Sequence, residues 1–345
     1  MHTSSPLQIL PLHIVELILG GYVAGNSRLK SDGISESPRE QAVLLMPLLV
    51  ACPSFTLSAY ARIFRVYEMH LTNTSDNDRY KTPFFQTSFT DAGVPIHIYA
   101  RELVISAGVR DICNGAVLKE LSCEPHIDCT FPKVRSIKFT FSLPAENLIV
   151  SHDTKANISG FMRRVKEMMP TVKKINISVG RHAVDIGYDI GRQHVIFDQQ
   201  LNGLRSLSYS SFNSAHIGEQ IFQLAQRNSS ILQSLKVSGN AITDVSGLLQ
   251  NTDGSYVQYP CLHTFQLRGP MDFGESQRPE FPGAVPFPSL RRLDIGYVYP
   301  FGDDTVFRGN AATLESLILK PSPGTVRILK EYRSAIQDCN MSECY

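Results

Sequence analysis

The sequence predicts an α/β fold built by repetition: short parallel strands lining one concave face, with helices or loops returning across a convex face. Three observations carry that expectation. A short apolar pattern recurs seven times between Val134 and Leu319, helical stripes fall between its copies, and the residues alternating with its apolar positions are almost all polar.

The pattern is an apolar residue, two others, an apolar residue, one other, and an apolar residue. It reads Val134-Ile137-Phe139, Val172-Ile175-Ile177, Leu204-Leu207-Tyr209, Leu232-Leu235-Val237, Leu262-Phe265-Leu267, Leu290-Leu293-Ile295 and Leu314-Leu317-Leu319. Successive first positions lie 38, 32, 28, 30, 28 and 24 residues apart. Most intervals sit at or just beyond the roughly 20–29 residues of a leucine-rich repeat, so the expectation is an irregular leucine-rich-repeat solenoid with insertions. The first apolar residue anchors a turn. The fourth and sixth alternate onto one side of a strand and face the core. No single unit can bury its apolar side alone, so neighbours must stack.

The return limbs follow from helical spacing. Ile158, Phe161, Val165 and Met168 predict a helix before the second strand, and Ile217, Ile221 and Leu224 one before the fourth. Val245, Leu248 and Leu249 suggest a shorter one before the fifth. Segments 269–288 and 296–304, rich in turn-forming residues, read as loops. Thr325–Ile336 reads as a helix covering the last strand. Upstream, Arg65–Leu71 and Glu102–Ser106 look like strands and Asp111–Ser122 like a helix. The organisation read from the chain is thus a helical module over 1–65, atypical leading repeats over 66–130, the array over 131–338, and a polar tail over 339–345.

If the register holds, the outward strand positions form a binding face. Its candidate contact residues are Lys138, Lys174, Asn176, Ser208, Lys236, Gln266, Arg268, Arg292, Asp294 and Lys320. Six of these are basic and one is acidic. An acidic or phosphorylated protein segment is the expected substrate, because complementary potentials steer association. The competing reading is a strand surface that lysines merely keep soluble.

Composition narrows the function class. Hydrophobic residues make up 43% and charged residues 19%, a balance that supports a folded core. With 33 basic and 32 acidic residues the net charge is +1, so no global field favours nucleic acid or an anionic membrane. No run reaches the about eighteen apolar residues of a membrane span. The apolar run Leu7–Leu19 is interrupted by Pro11, His13 and Glu16 and lacks a basic start, so it does not read as a signal peptide. Seven scattered cysteines then read as reduced thiols of a cytoplasmic or nuclear protein.

Catalytic and cofactor motifs are lacking: no G-x-G-x-x-G, P-loop, H-E-x-x-H or G-x-S-x-G pattern occurs. No enzyme activity and no cofactor are therefore expected. Cys113, Cys123, His126 and Cys129 are four residues of the types that bind zinc, at a spacing matching no common structural site. Asp303-Asp304 reads as a solvated or helix-capping turn.

The N-terminal module reads differently. Leu7, Leu10, Ile14, Val15 and Ile18 make a helical stripe with Pro11 suited to a first turn. A second apolar run contains Leu45, Pro47 and Leu48, and leads to Cys52 and Phe55. LQILPLHIVELIL followed by LMPLLVACPSF resembles the F-box, and its order before leucine-rich repeats is similar to that of the F-box/leucine-rich-repeat family, in a divergent fungal branch. Phe55 stands where that family usually carries a tryptophan, a residue this chain lacks. The resemblance implies docking of Leu7, Leu10, Pro11, Ile14, Val15, Ile18, Leu45, Pro47, Leu48, Cys52 and Phe55 on a Skp1-like adaptor. The repeats would then hold a substrate for an SCF-type ubiquitin ligase. Two alternatives stand beside it: helices that only cap the solenoid's apolar end, and a leucine-rich-repeat binding protein with no ligase role.

Overall fold

In the computed structural model the described residues are 65–71, 100–122, 130–142, 152–179, 201–211, 215–239, 246–251, 254–268, 285–296, 301, 303–319, 323–339 and 343–344. The candidate adaptor-docking module at 1–55 lies outside them.

Among the described residues ten parallel strands form one sheet in strict sequence order. They are β1 (Val66–Leu71), β2 (Glu102–Gly108), β3 (Ser136–Ser142), β4 (Lys174–Val179) and β5 (Ser206–Ser211), then β6 (Ser234–Gly239), β7 (Thr264–Arg268), β8 (Arg292–Ile295), β9 (Ser316–Leu319) and β10 (Glu343–Cys344). Each strand pairs in parallel with the next. All seven recurrences supply a strand, and the two leading strands join the same ladder. The tail contributes β10, whose Glu343 and Cys344 pair with Ser316 and Leu317.

Burial distinguishes this sheet from one covered on both sides, whose strands are apolar throughout. In β3 the inward residues Ile137, Phe139 and Phe141 are buried while Ser136, Lys138 and Thr140 are half-buried. Strands β4, β7 and β9 alternate in the same way. One face therefore holds the core. Burying each such leucine or phenylalanine contributes about 1.5–3 kcal/mol, and that gain depends on the next strand being in place.

Helices cover the core-bearing face. α1 (Val109–Cys113) and α2 (Ala116–Leu121) follow β2, and α3 (His152–Met168) follows β3. α4 (Ala215–Arg227) and α5 (Ser246–Leu249) follow β5 and β6, while α6 (Thr305–Gly309), α7 (Pro323–Glu331) and α8 (Arg333–Gln337) flank β9. The predicted stripes are buried where their side chains are described, at Ile158, Phe161, Val165 and Met168 in α3 and at Ile221 and Leu224 in α4; the Ile217 side chain is not among the described ones.

Two predicted helices are each broken in two. The Asp111–Ser122 helix divides at Gly115, whose φ of +80° suits glycine. There Asn157 of α3 donates a side-chain hydrogen bond to the Cys113 carbonyl at 3.0 Å and seals the break. The Thr325–Ile336 helix divides at Tyr332, whose ring packs on Phe307 of α6. α3 also approaches α2 closely, because a Cβ on Gly160 would meet Leu118 Cδ2 at 2.6 Å.

In the limbs that follow β6, β7 and β8, aromatic rings fill the interior. Tyr259, Phe265, Phe287 and Phe301 are fully buried, with ring centroids 5.1–6.3 Å apart. The Tyr259 hydroxyl donates to the Leu248 carbonyl at 2.8 Å, so its one polar atom is satisfied. Burial pushes that hydroxyl's pKa upward.

The turns are joined by buried side chains. Asn228 lies four residues before Leu232, and Asn310 four before Leu314. Asn228 Oδ1 accepts from the Leu204 N–H at 3.0 Å, while its Nδ2 donates to the Leu201 and Leu224 carbonyls. Asn310 repeats the arrangement, accepting from the Leu290 N–H at 3.1 Å and donating to Val306. Both are buried. Thr171 and Thr313, each directly before an anchor, donate to the preceding anchor's carbonyl at Val134 and Leu290.

Alanine at Asn228 or Asn310 would leave buried backbone groups unpartnered. We expect each substitution to cost about 1–3 kcal/mol in urea denaturation, while Gln233→Ala, on the exposed side of the same turn, changes little.

Candidate protein-binding face

The outward residues fall into three rows because the strands are in register. The first runs Ser136, Lys174, Ser206, Ser234, Thr264, Arg292, Ser316. The second runs Lys138, Asn176, Ser208, Lys236, Gln266, Asp294, Ile318, and the third Thr140, Ser178, Ser210, Ser238, Arg268. Adjacent members sit about 4.8 Å apart, the strand spacing, so each row is a line of regularly placed side chains.

Lys174, Lys236 and Arg292 are exposed, while Lys138, Asn176, Ser208 and Gln266 are half-buried. Among the described residues none of Lys138, Lys174, Lys236 and Arg292 forms an ion pair. Serine dominates the ground between them, giving a surface of hydroxyl donors and acceptors studded with separate cations. Such a surface has hydrogen-bonding capacity for an extended polar segment.

Arg268 and Asp294 occupy a different state from the other candidates. Arg268 Nε donates to Asp294 Oδ1 at 3.1 Å and Nη2 donates to Oδ2, a two-point pair joining β7 to β8. The Asp294 side chain is 1% exposed and that of Arg268 39%. Asp294 lies on an outward row yet is covered, which ends the strict alternation at β8. The hydrogen bond to Asp294 raises the Arg268 pKa, with burial opposing and the carboxylate's charge adding to the rise. These two side chains thus bind each other. Lys320 lies outside the described residues, as do Leu7, Leu10, Pro11, Ile14, Val15, Ile18, Leu45, Pro47, Leu48, Cys52 and Phe55.

The remaining chemistry is structural where it is described. Burial pushes the Cys113 thiol up to about 11, which keeps it protonated and a poor ligand or nucleophile near neutrality. Cys123, His126 and Cys129 lie outside the described residues. Among the described residues no group of three His, Cys, Asp or Glu side chains is placed to hold a metal ion. Nor is any described helix long and apolar enough to cross a membrane. Asp303 and Asp304 serve α6: Asp303 Oδ1 accepts from the Thr305 N–H at 3.1 Å, and Asp304 Oδ2 from Arg308 Nε at 2.6 Å.

Two sets of residues fall outside the apolar spacing that selects the outward rows. One is the asparagine pair, which the repeated spacing Asn-x-x-x-Leu marks. The other is the residue directly after each anchor, a position rich in arginine. No family model matches the chain, and no curated protein matches it.

The Arg268–Asp294 pair makes an asymmetric prediction. Arg268→Met strands a buried carboxylate and should cost about 3–5 kcal/mol at neutral pH. Without the guanidinium the buried carboxylate has lost its two-point partner, so adding Asp294→Asn to the variant should return part of that stability. Measured by urea denaturation, the double variant should therefore lose less than Arg268→Met alone. A double variant as unstable as Arg268→Met, or less stable, would contradict the assignment.

Proposed function

We propose that the chain is a leucine-rich-repeat solenoid that binds proteins, acting as the substrate-recognition subunit of an SCF-type ubiquitin ligase. The observation that carries the scaffold reading is the one-sided parallel sheet in sequence order, whose outward rows are polar and reach solvent. A chain that coils in this way presents one strand per turn, and its concave rows are available to a partner. Ligase membership rests on the resemblance of Leu7–Phe55 to the F-box. In this reading Leu10 and Pro11 meet a Skp1-like adaptor and the strand rows hold the substrate.

The substrate class follows from the separate cations on those rows. Lys138, Lys174, Lys236 and Arg292 offer attachment points for carboxylate or phosphate groups on an extended segment. Arg268 is omitted because Asp294 occupies it. The surrounding serines and Asn176 supply hydrogen bonds at positions between charges.

Two measurements separate the parts of this proposal. Copurification with a Skp1-like adaptor, abolished by Leu10→Ala with Pro11→Ala, supports ligase membership. Its absence from the wild-type chain favours a repeat protein with no ligase role. Changing Lys138, Lys236 and Arg292 to glutamate should lower capture of the acidic or phosphorylated partner by about tenfold or more. Undiminished capture by a folded triple variant would remove the concave face as the substrate site.

A further inference from the structure

The residue directly after each anchor stands at the entry edge of the sheet, one position before the first outward row. Along β1 to β5 this position is Arg65, Arg101, Arg135, Lys173 and Arg205 in unbroken succession. All five are exposed. In β6 to β9 the same position holds Gln233, His263, Arg291 and Glu315, and the last two pair at 3.4 Å. Among the described residues, the arginines and lysines of this edge that form no ion pair are thus those of β1 to β5.

The backbone beneath them is held by hydrogen bonds. The Arg101 N–H donates to the Arg65 carbonyl, Arg135 to Arg101, Lys173 to Arg135, and Arg205 to Lys173, all at 2.7–3.1 Å. The five side chains therefore leave a rigid edge at intervals of about 4.8 Å, spanning roughly 19 Å in a line. Among the described residues none of the five forms an ion pair. Five like charges in a row repel one another and add nothing to folding, so their accumulation in a chain of net charge +1 calls for a counter-charge.

We propose that this entry edge is a docking strip for an acidic, carboxylate-rich segment of a partner protein, separate from the concave strand rows. An extended segment of about six residues matches the strip's length at roughly 3.3 Å per residue. Guanidinium groups engage carboxylates in a two-point geometry, and four of the five positions are arginine. Nucleic acid fits less well. Tyr256, beyond β6, is the one large aromatic residue among the exposed apolar side chains described, so the described residues give the strip no platform on which bases stack.

The test uses the full chain with Arg101, Arg135 and Lys173 changed to glutamine, beside a second variant with Lys138, Lys236 and Arg292 changed to glutamine. A fluorescent ten-residue glutamate-rich peptide and a thymidine decanucleotide are titrated by anisotropy at low and at moderate salt. The expected result is salt-sensitive peptide binding that falls by roughly tenfold or more in the edge variant and is retained in the concave-row variant. Circular dichroism confirms that both fold. The proposal is overturned if wild type does not bind the peptide at low salt, or if the edge variant binds undiminished. It is equally overturned if the concave-row variant is the one that loses binding, or if the decanucleotide binds through the edge more tightly than the peptide. The first expected outcome leaves the concave-face proposal standing or falling by its own partner capture.

Discussion

At the entry of each strand, one backbone carbonyl holds the next turn of the chain in place, and the remainder of the sheet is built from that contact. The carbonyls of Arg65, Arg135, Lys173, Arg205, Gln233, His263 and Arg291 each accept two N–H groups from consecutive residues of the following strand. The anchor sits directly before this pair of bonds and is buried in each of the seven recurrent units except the second, where Val172 is partly buried. Locking the entry fixes the register, and a slip of one residue would turn every inward side chain outward. The buried asparagines and threonines extend the same lock into the turns, by satisfying backbone groups that would otherwise be enclosed without partners.

This constraint acts at one end of the strand and leaves the return limb free. Intervals of 24 to 38 residues between anchors are therefore compatible with one uninterrupted sheet. The limbs after β3 and β5 place α3 and α4 against the core; in those after β6, β7 and β8 Tyr259, Phe287 and Phe301 fill the interior. The outward face carries none of this load, so it can be polar and spaced by strand pairing alone. Separate surfaces follow from one geometry: strand rows on the outward face, and a charged edge where the chain enters. The Arg268–Asp294 pair marks where part of that outward face has been turned to structural use.

Much of the fold was legible because period-two burial and helical stripes are properties of local sequence. The anchors, the inward residues and helices α3 and α4 all follow from that periodicity. What escaped depends on neighbours distant in the chain. The turn at Gly115 is fixed by Asn157 from α3, and the break at Tyr332 accompanies a ring contact with Phe307. Likewise, Arg268 and Asp294 belong to separate units and meet only through the pairing of β7 with β8. The arginine strip was equally hidden, since its members are 32 to 38 residues apart and carry no apolar periodicity. A tabulation of each unit's position after the anchor would have revealed it.

Native-state hydrogen exchange tests the register lock most directly. Amides of Arg135, Lys173, Arg205, Gln233, His263, Arg291 and Glu315 should be protected together and more slowly exchanging than those near exposed Val326 and Leu329 of α7. Free exchange at Arg205 or Gln233, with protection retained on either side, would show that the ladder is broken at its centre and contradict the account.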